Sequence, residues 1–378
     1  MGTPSPIRHA FIGLEIFSAE GGIQSYVRDL LRAYLAADPD WEADVFLLRD
    51  DPQCQNPFVN ELVKESRLRF HYCRGGGPQL GRLRLLAKLL YHGLRDRPRR
   101  FIGTHLFVAP LMRLVGQPLG IPYTVITHGK EVWQPLAGKR LEALQAADAI
   151  WTVSRYSQQR LCEANGIAAE KVQRLPCVVD GGRFTPAPPN LDLVTRYGLA
   201  NAKVLMTVAR LWSGDIYKGV DVTIRALPKI LHAQPDVKYL VIGRGDDQPR
   251  LVQLAQELGV ADQVVFAGFV SDQELVDHYR LASAYVMPSQ EGFGIVYLEA
   301  MACGVPVLSG DDDGSADPLQ AGRMGWQVPH RDPEAVASAC LEILRGEDKR
   351  CDRTWLRQET LAAFSPAVLA QTLKTLLA

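Results

Sequence analysis

The chain has 378 residues, 47% of them apolar, which is long for a single hydrophobic core and predicts two domains. Its 42 lysines and arginines balance 42 aspartates and glutamates, and a zero formal net charge argues against nucleic-acid binding. The seven cysteines show neither a Cys-x-x-Cys nor a Cys/His cluster, which gives no zinc-site spacing and is typical of free thiols in a reducing compartment.

The beginning of the chain shows no signal-peptide core, and no apolar run along it is long enough to span a bilayer. We therefore expect a cytoplasmic protein. Peripheral attachment to the inner face of the cell membrane stays open.

Short apolar runs alternate with segments of helical period along the whole chain. The first strand and helix candidates are 8–14 and 23–36, and the second half of the chain restarts the pattern with a strand candidate at 203–209. Continuous apolar strands separated by helices predict an α/β fold with parallel sheets covered on both faces. We expect two doubly wound, Rossmann-like domains facing across a cleft, with ligands beyond the carboxyl ends of the strands.

A stretch rich in glycine and proline separates the two halves. It predicts a first domain at 1–180, a linker at 181–190 and a second domain at 191–363, followed by a C-terminal helix at about 364–378.

Two features of the first half follow predicted strands. Gly21 and Gly22 end the loop after the first predicted strand and open a helix. Backbone without side chains there can approach a phosphate or a sugar closely. His128 follows the apolar run at 122–127 and precedes a glycine. At the carboxyl end of a strand this histidine is a candidate substrate contact, although a structural hydrogen bond is the simpler role.

The segment 80–100 contains seven basic residues and one acid. Its predicted helix, 80–95, carries an apolar stripe made of Leu83, Leu86, Ala87, Leu90 and Leu94. Such a helix either lies on an anionic membrane surface or packs its stripe against the protein core, and the sequence leaves both open.

Arg210 and Lys218 bracket the loop after the first strand of the second half. The planar guanidinium suits phosphate oxygens, and the lysine adds a mobile point charge. The pair could neutralise a diphosphate and stabilise it as it leaves.

Glu291 and Glu299 lie eight positions apart around a loop that contains Gly292 and Gly294. The loop predicts a helix N terminus with exposed N–H groups, which attract anions. Because carboxylates repel phosphate, a glutamate on each side favours a ligand that also carries hydroxyl groups, as a nucleotide sugar does.

Taken together, Glu-x7-Glu at 291–299, the pair Arg210 and Lys218, Gly21-Gly22 and His128 resemble the retaining glycosyltransferases of family four. The linker, with Val179-Asp180 and Phe184-x-Pro186, and the C-terminal helix fit as well. The resemblance covers the whole chain and implies the GT-B fold, in which a C-terminal helix crosses back to the first domain.

This resemblance implies a role for each matching residue. Glu299 would accept hydrogen bonds from the ribose, Arg210 and Lys218 would hold the diphosphate, and Glu291 would bind hydroxyls of the hexose. The backbone of the segment Gly292, Phe293, Gly294 and Ile295 would cradle phosphate and sugar, and main chain around Val270 would face the base.

The resemblance further implies transfer with retention and without a carboxylate nucleophile, because the leaving diphosphate accepts the proton of the attacking hydroxyl. His128 would hold a hexose hydroxyl. No metal or other cofactor is expected, and we interpret the acidic run Asp311-Asp312-Asp313 as a solvated loop rather than a metal site. That loop replaces a Gly-Pro-Glu turn common in the family, so contacts from this turn cannot be transferred.

The sequence thus predicts a hexosyltransferase that takes a UDP- or GDP-linked sugar, with GDP-mannose among the candidates, and acts on a glycan or a lipid-linked saccharide of envelope, exopolysaccharide or glycolipid synthesis. Base, hexose and acceptor stay undetermined. A nucleotide-sugar epimerase, a phosphorylase or a non-catalytic sugar-nucleotide sensor of the same architecture are the alternatives.

Overall fold

The computed structural model describes residues 7–58 and 67–378. The chain forms two compact units, one made of Met1–Cys177 with Pro366–Ala378 and the other of Val178–Ser365. Each unit has its own apolar core around one parallel sheet. The stretch 181–190 lies in the second unit, where the Arg357 guanidinium donates to the Gly181 carbonyl at 2.6 Å.

The described part of the first unit contains a seven-stranded sheet in the order β3-β2-β1-β4-β5-β6-β7. Its strands are β1 Ile7–Gly13, β2 Trp41–Leu47, β3 Leu68–Tyr72, β4 Phe101–Gly103, β5 Tyr123–Thr127, β6 Ala149–Thr152 and β7 Val172–Arg174. All neighbours are parallel. The chain direction across the sheet reverses between β1 and β4, which makes this a topological switch point.

In the described part of the first unit, five α-helices lie between these strands: α1 Gly22–Ala37, α2 Pro78–Arg95, α3 Ala109–Leu119, α4 Gly138–Gln145 and α5 Arg155–Asn165. Local sequence explains their ends. The hydroxyl of Ser154 accepts from the Ser157 amide at 3.1 Å and caps α5, which stops where Gly166 adopts the left-handed conformation.

The second unit also contains one parallel sheet, with six strands in the order β10-β9-β8-β11-β12-β13. Its strands are β8 Lys203–Val208, β9 Val237–Ile242, β10 Val264–Gly268, β11 Ala284–Met287, β12 Val307–Gly310 and β13 Trp326–Val328. Here the switch point lies between the neighbouring strands β8 and β11.

Seven helices belong to the second unit: α6 Leu191–Arg196, α7 Val220–Ala233, α8 Gln248–Glu257, α9 Asp272–Tyr279, α10 Ile295–Ala302, α11 Pro333–Arg345 and α12 Arg353–Phe364. Asp332 caps α11 by accepting from two backbone amides of its first turn, and Pro333 opens it.

The C-terminal helix α13, Pro366–Leu377, packs against α1 of the first unit. Leu369 and Leu373 are buried, and the Lys374 Nζ lies 3.4 Å from a carboxylate oxygen of Asp38. The predicted return of this helix to the first half of the chain is therefore confirmed.

Candidate active site

The second unit brings two loops together at its switch point. One follows β8 and carries Arg210 and Lys218, and the other follows β11 and carries Glu291. The amide of Gln290 donates to the carbonyl of Tyr217 at 3.1 Å, so the backbones of the two loops are bonded to each other. Residues that are far apart in sequence thus meet where an α/β sheet binds its ligands.

Lys218 and Glu291 form an ion pair through Nζ and Oε1. Their side chains are only 18% and 17% exposed, so water and salt screen the attraction less than they would at the surface. An ammonium group has three N–H donors, and one carboxylate oxygen uses one of them. The pair therefore fixes the position of the cation and leaves donors for a further anion.

Arg210 projects into solvent with 74% of its side chain exposed, and its NH2 lies 2.8 Å from a carboxylate oxygen of the buried Asp215. Burial and a hydrogen bond to Asp215 raise the pKa of Tyr217, which keeps that phenol neutral. The carboxylate anchors a guanidinium whose other N–H groups remain available to phosphate oxygens. Arg210 and Lys218 line one pocket.

The glycine loop leads into α10 as expected. Gly294 has φ of 90°, and a Cβ there would overlap the ring of Tyr297. Within the described residues no side chain caps this helix, so its first N–H groups are open to a ligand. Gly292 and Ile295 are half-buried, whereas Phe293 is buried with its ring edge-on to Phe364.

Glu299 lies in α10, half-buried, and one of its carboxylate oxygens accepts from the phenol of Tyr279 at 2.7 Å. Burial and the charge of Glu299 raise the pKa of Tyr279, so the phenol stays a hydrogen-bond donor. A buried tyrosine thus orients the second glutamate of the pair.

Val270 follows β10 and is half-buried, next to the half-exposed Phe269. The guanidinium of Arg244 lies 4.7 Å from the centre of the Phe269 ring. Arg244 stands between Gly243 and Gly245, where any Cβ would overlap the carbonyl oxygens of the loop after β8. Our sequence reading missed this Gly-Arg-Gly turn, although a glycine pair directly after a predicted strand is a readable signal.

The acidic run corrects one prediction. Asp311 and Asp312 are exposed, but Asp313 is buried, so the interpretation as a solvated loop is wrong for this residue. One Asp313 oxygen accepts from the Glu291 amide at 2.6 Å, and the other accepts from the amide of Ser315 at 2.8 Å. The loop after β12 thus supports the backbone of Glu291, a role that our reading of the sequence did not include.

Burial raises the pKa of Asp313 to about 7, against the lowering effect of its hydrogen bonds from Ser315 and from the Glu291 amide. Between pH 3.8 and about 7, Asp313 of the folded protein therefore keeps a proton. In the unfolded chain the same carboxyl has its ordinary pKa of 3.8 and has already released this proton. This contribution to stability is fully present below the unfolded value and is lost as the pH rises towards 7.

We expect the free energy of unfolding to fall, relative to an Asp313→Asn variant, by at least about 1.4 kcal/mol between about pH 4 and about pH 7, the equivalent of one pKa unit. Urea titrations of both proteins across this range measure the difference. A difference that does not change with pH would contradict the assignment.

In the first unit a buried carboxylate shapes the loop before Gly21 and Gly22. Asp50 accepts hydrogen bonds from the amides of residues 16–18, at 2.7, 3.1 and 2.9 Å, and from the Ser18 hydroxyl at 2.5 Å. Gly21 and Gly22 themselves are exposed at the start of α1. Asp50 is a second positioning residue that we did not predict, because its partners lie more than 30 positions away.

His128 directly follows β5, as predicted, and is half-buried. Its Nε2 lies 2.8 Å from the carbonyl of Thr104, which can only accept, so Nε2 carries a proton. The ring of Tyr26 meets it edge-on with centroids 5.4 Å apart. Burial and the neighbouring His128 lower the pKa of His105 to about 4, so His105 is neutral at physiological pH.

Comparisons with known proteins agree with this arrangement. A family model described as "Glycosyl transferase 4-like domain" matches residues 21–178, and one described as "Glycosyl transferases group 1" matches residues 202–346. The GDP-mannose-dependent alpha-(1-6)-phosphatidylinositol monomannoside mannosyltransferase of Mycolicibacterium smegmatis is 37% identical over 275 residues, which covers 66% of this chain and 70% of the relative. The Mycobacterium tuberculosis enzyme of the same name is 34% identical, over 68% and 70% of the two chains.

The chain belongs to the group 1 glycosyl transferases. The predictions of the family and of an enzyme of the glycosyltransferase class are confirmed. Anabaena HepE, solved in complex with UDP, is 19% identical and superposes with a TM-score of 0.79, over 98% of this chain and 99% of HepE. This likeness, with the two parallel sheets, confirms the predicted GT-B fold.

Helix α2 of this glycosyltransferase has two apolar faces. Leu85 and Leu89 are buried between the buried glycines 81 and 93. Most of the predicted stripe points to solvent: the exposed fractions are 61% for Leu83, 46% for Leu90 and 56% for Leu94. The helix therefore faces the core, as one of the two alternatives has it, but through Leu85 and Leu89 rather than through most of the predicted stripe. Among the helices of the described residues, none is both long and apolar enough to cross a membrane.

Proposed function

We propose that this glycosyltransferase moves a hexosyl group from a nucleotide-diphosphate sugar with retention of anomeric configuration and without a bound metal ion. The observation that carries the proposal is the Lys218–Glu291 pair at the uncapped start of α10. Cationic donors and peptide N–H groups suit a diphosphate, and the carboxylate suits hydroxyl groups. A ligand that combines both is a nucleotide sugar.

Within this proposal each group has one task. Arg210 and Lys218 bind the diphosphate together with the N–H groups of the segment 292–295. Glu291 binds hydroxyls of the hexose, Glu299 binds the ribose in the orientation set by Tyr279, and main chain at Val270 faces the base. Gly21, Gly22 and His128 of the first unit contact the transferred sugar.

The chemistry needs few groups. The bond between the anomeric carbon and the diphosphate oxygen breaks while the acceptor hydroxyl bonds to the same face of that carbon, and the hydroxyl proton passes to the departing phosphate. Charge builds on the diphosphate, where fixed cations stabilise it. Two side-chain cations and the positive end of α10 already supply this charge, which supports metal-independent transfer.

Among donors we propose GDP-mannose, because the Mycolicibacterium and Mycobacterium relatives are GDP-mannose-dependent mannosyltransferases. Their matches cover 66% and 68% of this chain. We expect GDP-mannose to raise the melting temperature in the presence of EDTA, and UDP-glucose to raise it less. A ligand at 100 times its dissociation constant stabilises by about 2.7 kcal/mol, which is readily visible. A larger shift with UDP-glucose would reject the donor assignment alone.

Slow hydrolysis of the bound donor without an acceptor separates a transferase from the sensor alternative. We expect the released mannose to have the same anomeric configuration as the donor. NMR of its anomeric proton measures this configuration. Donor binding without any hydrolysis or transfer would instead favour the sensor. Loss of hydrolysis on adding EDTA would contradict the metal-independent mechanism.

For the acceptor we propose a phosphatidylinositol-type glycolipid, reached while α2 lies on an anionic membrane. Leu83, Leu90 and Leu94 would enter the interface, and Arg82, which is also exposed, would attract anionic lipids. The location that we propose for the protein is therefore the cytoplasmic face of the membrane.

Co-sedimentation with anionic liposomes tests the surface. We expect the triple variant Leu83→Gln, Leu90→Gln, Leu94→Gln to bind at least about tenfold more weakly, because it loses three apolar side chains from the interface. Leu191→Gln is the matched control, since Leu191 is 75% exposed in the second unit. Equal binding of the triple variant and the wild type would refute the role of α2.

A further inference from the structure

We propose that the first unit holds a divalent transition-metal ion between Asp44, His71 and His92. The three residues come from β2, β3 and α2, and one ligand atom from each lies within 4.8 Å of the other two. His71 Nε2 is 2.8 Å from Oδ1 of Asp44. Ligand atoms around a tetrahedral zinc ion lie about 3.3 Å apart, given bonds of about 2.0–2.1 Å, so small side-chain rotations suffice.

The second nitrogen of His92 supports this assignment. Its Nδ1 is 2.6 Å from a carboxylate oxygen of Asp96, one helical turn further along. Histidines that bind metal commonly donate their other N–H to a carboxylate, which fixes the tautomer and strengthens the ligand. His92 therefore presents Nε2, the nitrogen left without this bond, as its ligand atom.

Packing fixes the two imidazoles next to each other. The ring of Phe46 stacks on His71 with centroids 4.6 Å apart and meets His92 edge-on at 5.3 Å. The two imidazole centroids are 4.6 Å apart. Two imidazoles this close together can bind one metal ion.

Arginine side chains contact the carboxylates in and next to the cluster but leave Oδ1 of Asp44 to His71. Arg8 is ion-paired with Glu42 at 2.6 Å, and its Nε lies 3.9 Å from Oδ2 of Asp44. Another guanidinium nitrogen is 3.8 Å from Asp96. Arg69 also contacts Glu42, at 3.4 Å. Arg95 contacts Asp96, at 4.0 Å. Arg8 approaches Asp44 from the side of Oδ2, while Oδ1 of Asp44 lies against His71.

Two imidazoles and one carboxylate form a ligand set that zinc and its neighbours prefer over magnesium or calcium. The side chains of His71 and His92 are 20% and 18% exposed, so water can complete the coordination. Because His92 lies on α2 and the other two ligands lie on the sheet, a bound ion would fasten the membrane-facing helix to the sheet.

Calorimetry with Zn²⁺ on the full chain, stripped of metal beforehand, tests the site. We expect one ion per chain and at least about 100-fold weaker binding by His71→Ala and by His92→Ala. Asp96→Asn, which keeps all three ligands, should weaken binding by about 10–100-fold. His232→Ala changes an exposed histidine of the second unit and should bind as the wild type does.

The visible spectrum of bound Co²⁺ gives a readout that does not depend on stability. The wild type should show the intense absorption of a tetrahedral site, and each histidine variant should lose it while still melting cooperatively. Failure of the wild type to bind one ion, or equal Co²⁺ spectra in wild type and both histidine variants, would overturn the proposal. None of these outcomes depends on the donor or on sugar transfer.

Discussion

Replacing Lys218 by alanine is expected to lower kcat/KM for hexosyl transfer by about 10- to 150-fold. One charge-assisted contact to the diphosphate is worth about 1.5–3 kcal/mol. The substitution also leaves Glu291 without the cation that it contacts in the structure, so an uncompensated carboxylate would face the phosphates. Steady-state kinetics with GDP-mannose measure the loss.

Lys229→Ala is the matched control, because Lys229 forms an exposed ion pair with Glu334 in the same unit. We expect its kinetics to equal those of the wild type. The double variant Lys218→Ala, Glu291→Gln should bind free GDP more tightly than Lys218→Ala alone, since it removes the unpaired charge. Near-normal turnover of Lys218→Ala would disprove its proposed role.

Substitution of the two glutamates is expected to separate nucleotide binding from sugar transfer. Glu299→Gln should weaken binding of free GDP by about tenfold or more, because a carboxylate accepts stronger hydrogen bonds from ribose hydroxyls than an amide does. Glu291→Gln should leave GDP affinity within about twofold and lower the transfer rate instead. Calorimetry with GDP and kinetics with GDP-mannose provide the two readouts.

Tyr279→Phe is an informative companion, since it removes only the hydroxyl that donates to Glu299. It should weaken GDP binding in the same direction as Glu299→Gln but less. Equal loss of GDP affinity in the Glu291 and Glu299 variants would show that the two carboxylates do not bind different ends of the donor.

The positions of the proposed donor-site residues in the fold could be predicted because these residues are local in sequence. Arg210 and Lys218 flank one loop, and Gly292 and Gly294 precede one helix, so strand ends and glycines were enough to place them. Their meeting followed from the topology, since β8 and β11 are neighbours at a switch point.

The supporting carboxylates could not be predicted. Asp313 and Asp50 accept hydrogen bonds from backbone amides that lie 22 and up to 34 positions away, and any residue type provides such amides. The orientation of α2 was ambiguous for a related reason. Its core face contains the buried glycines 81 and 93, so the apolar pattern marks the exposed leucines as strongly as the buried ones.

The Gly-Arg-Gly turn after β9 bears on how this protein could be re-engineered. Neighbouring carbonyl groups forbid a side chain at Gly243 and Gly245, whereas the guanidinium of the exposed Arg244 lies over the ring of Phe269. We therefore expect substitutions to be tolerated at Arg244 and at Phe269, but not at the two glycines. Because main chain at Val270, next to Phe269, is proposed to face the base, a combinatorial library that varies Arg244 and Phe269 together would test for new nucleobase preferences while the two glycines stay unchanged.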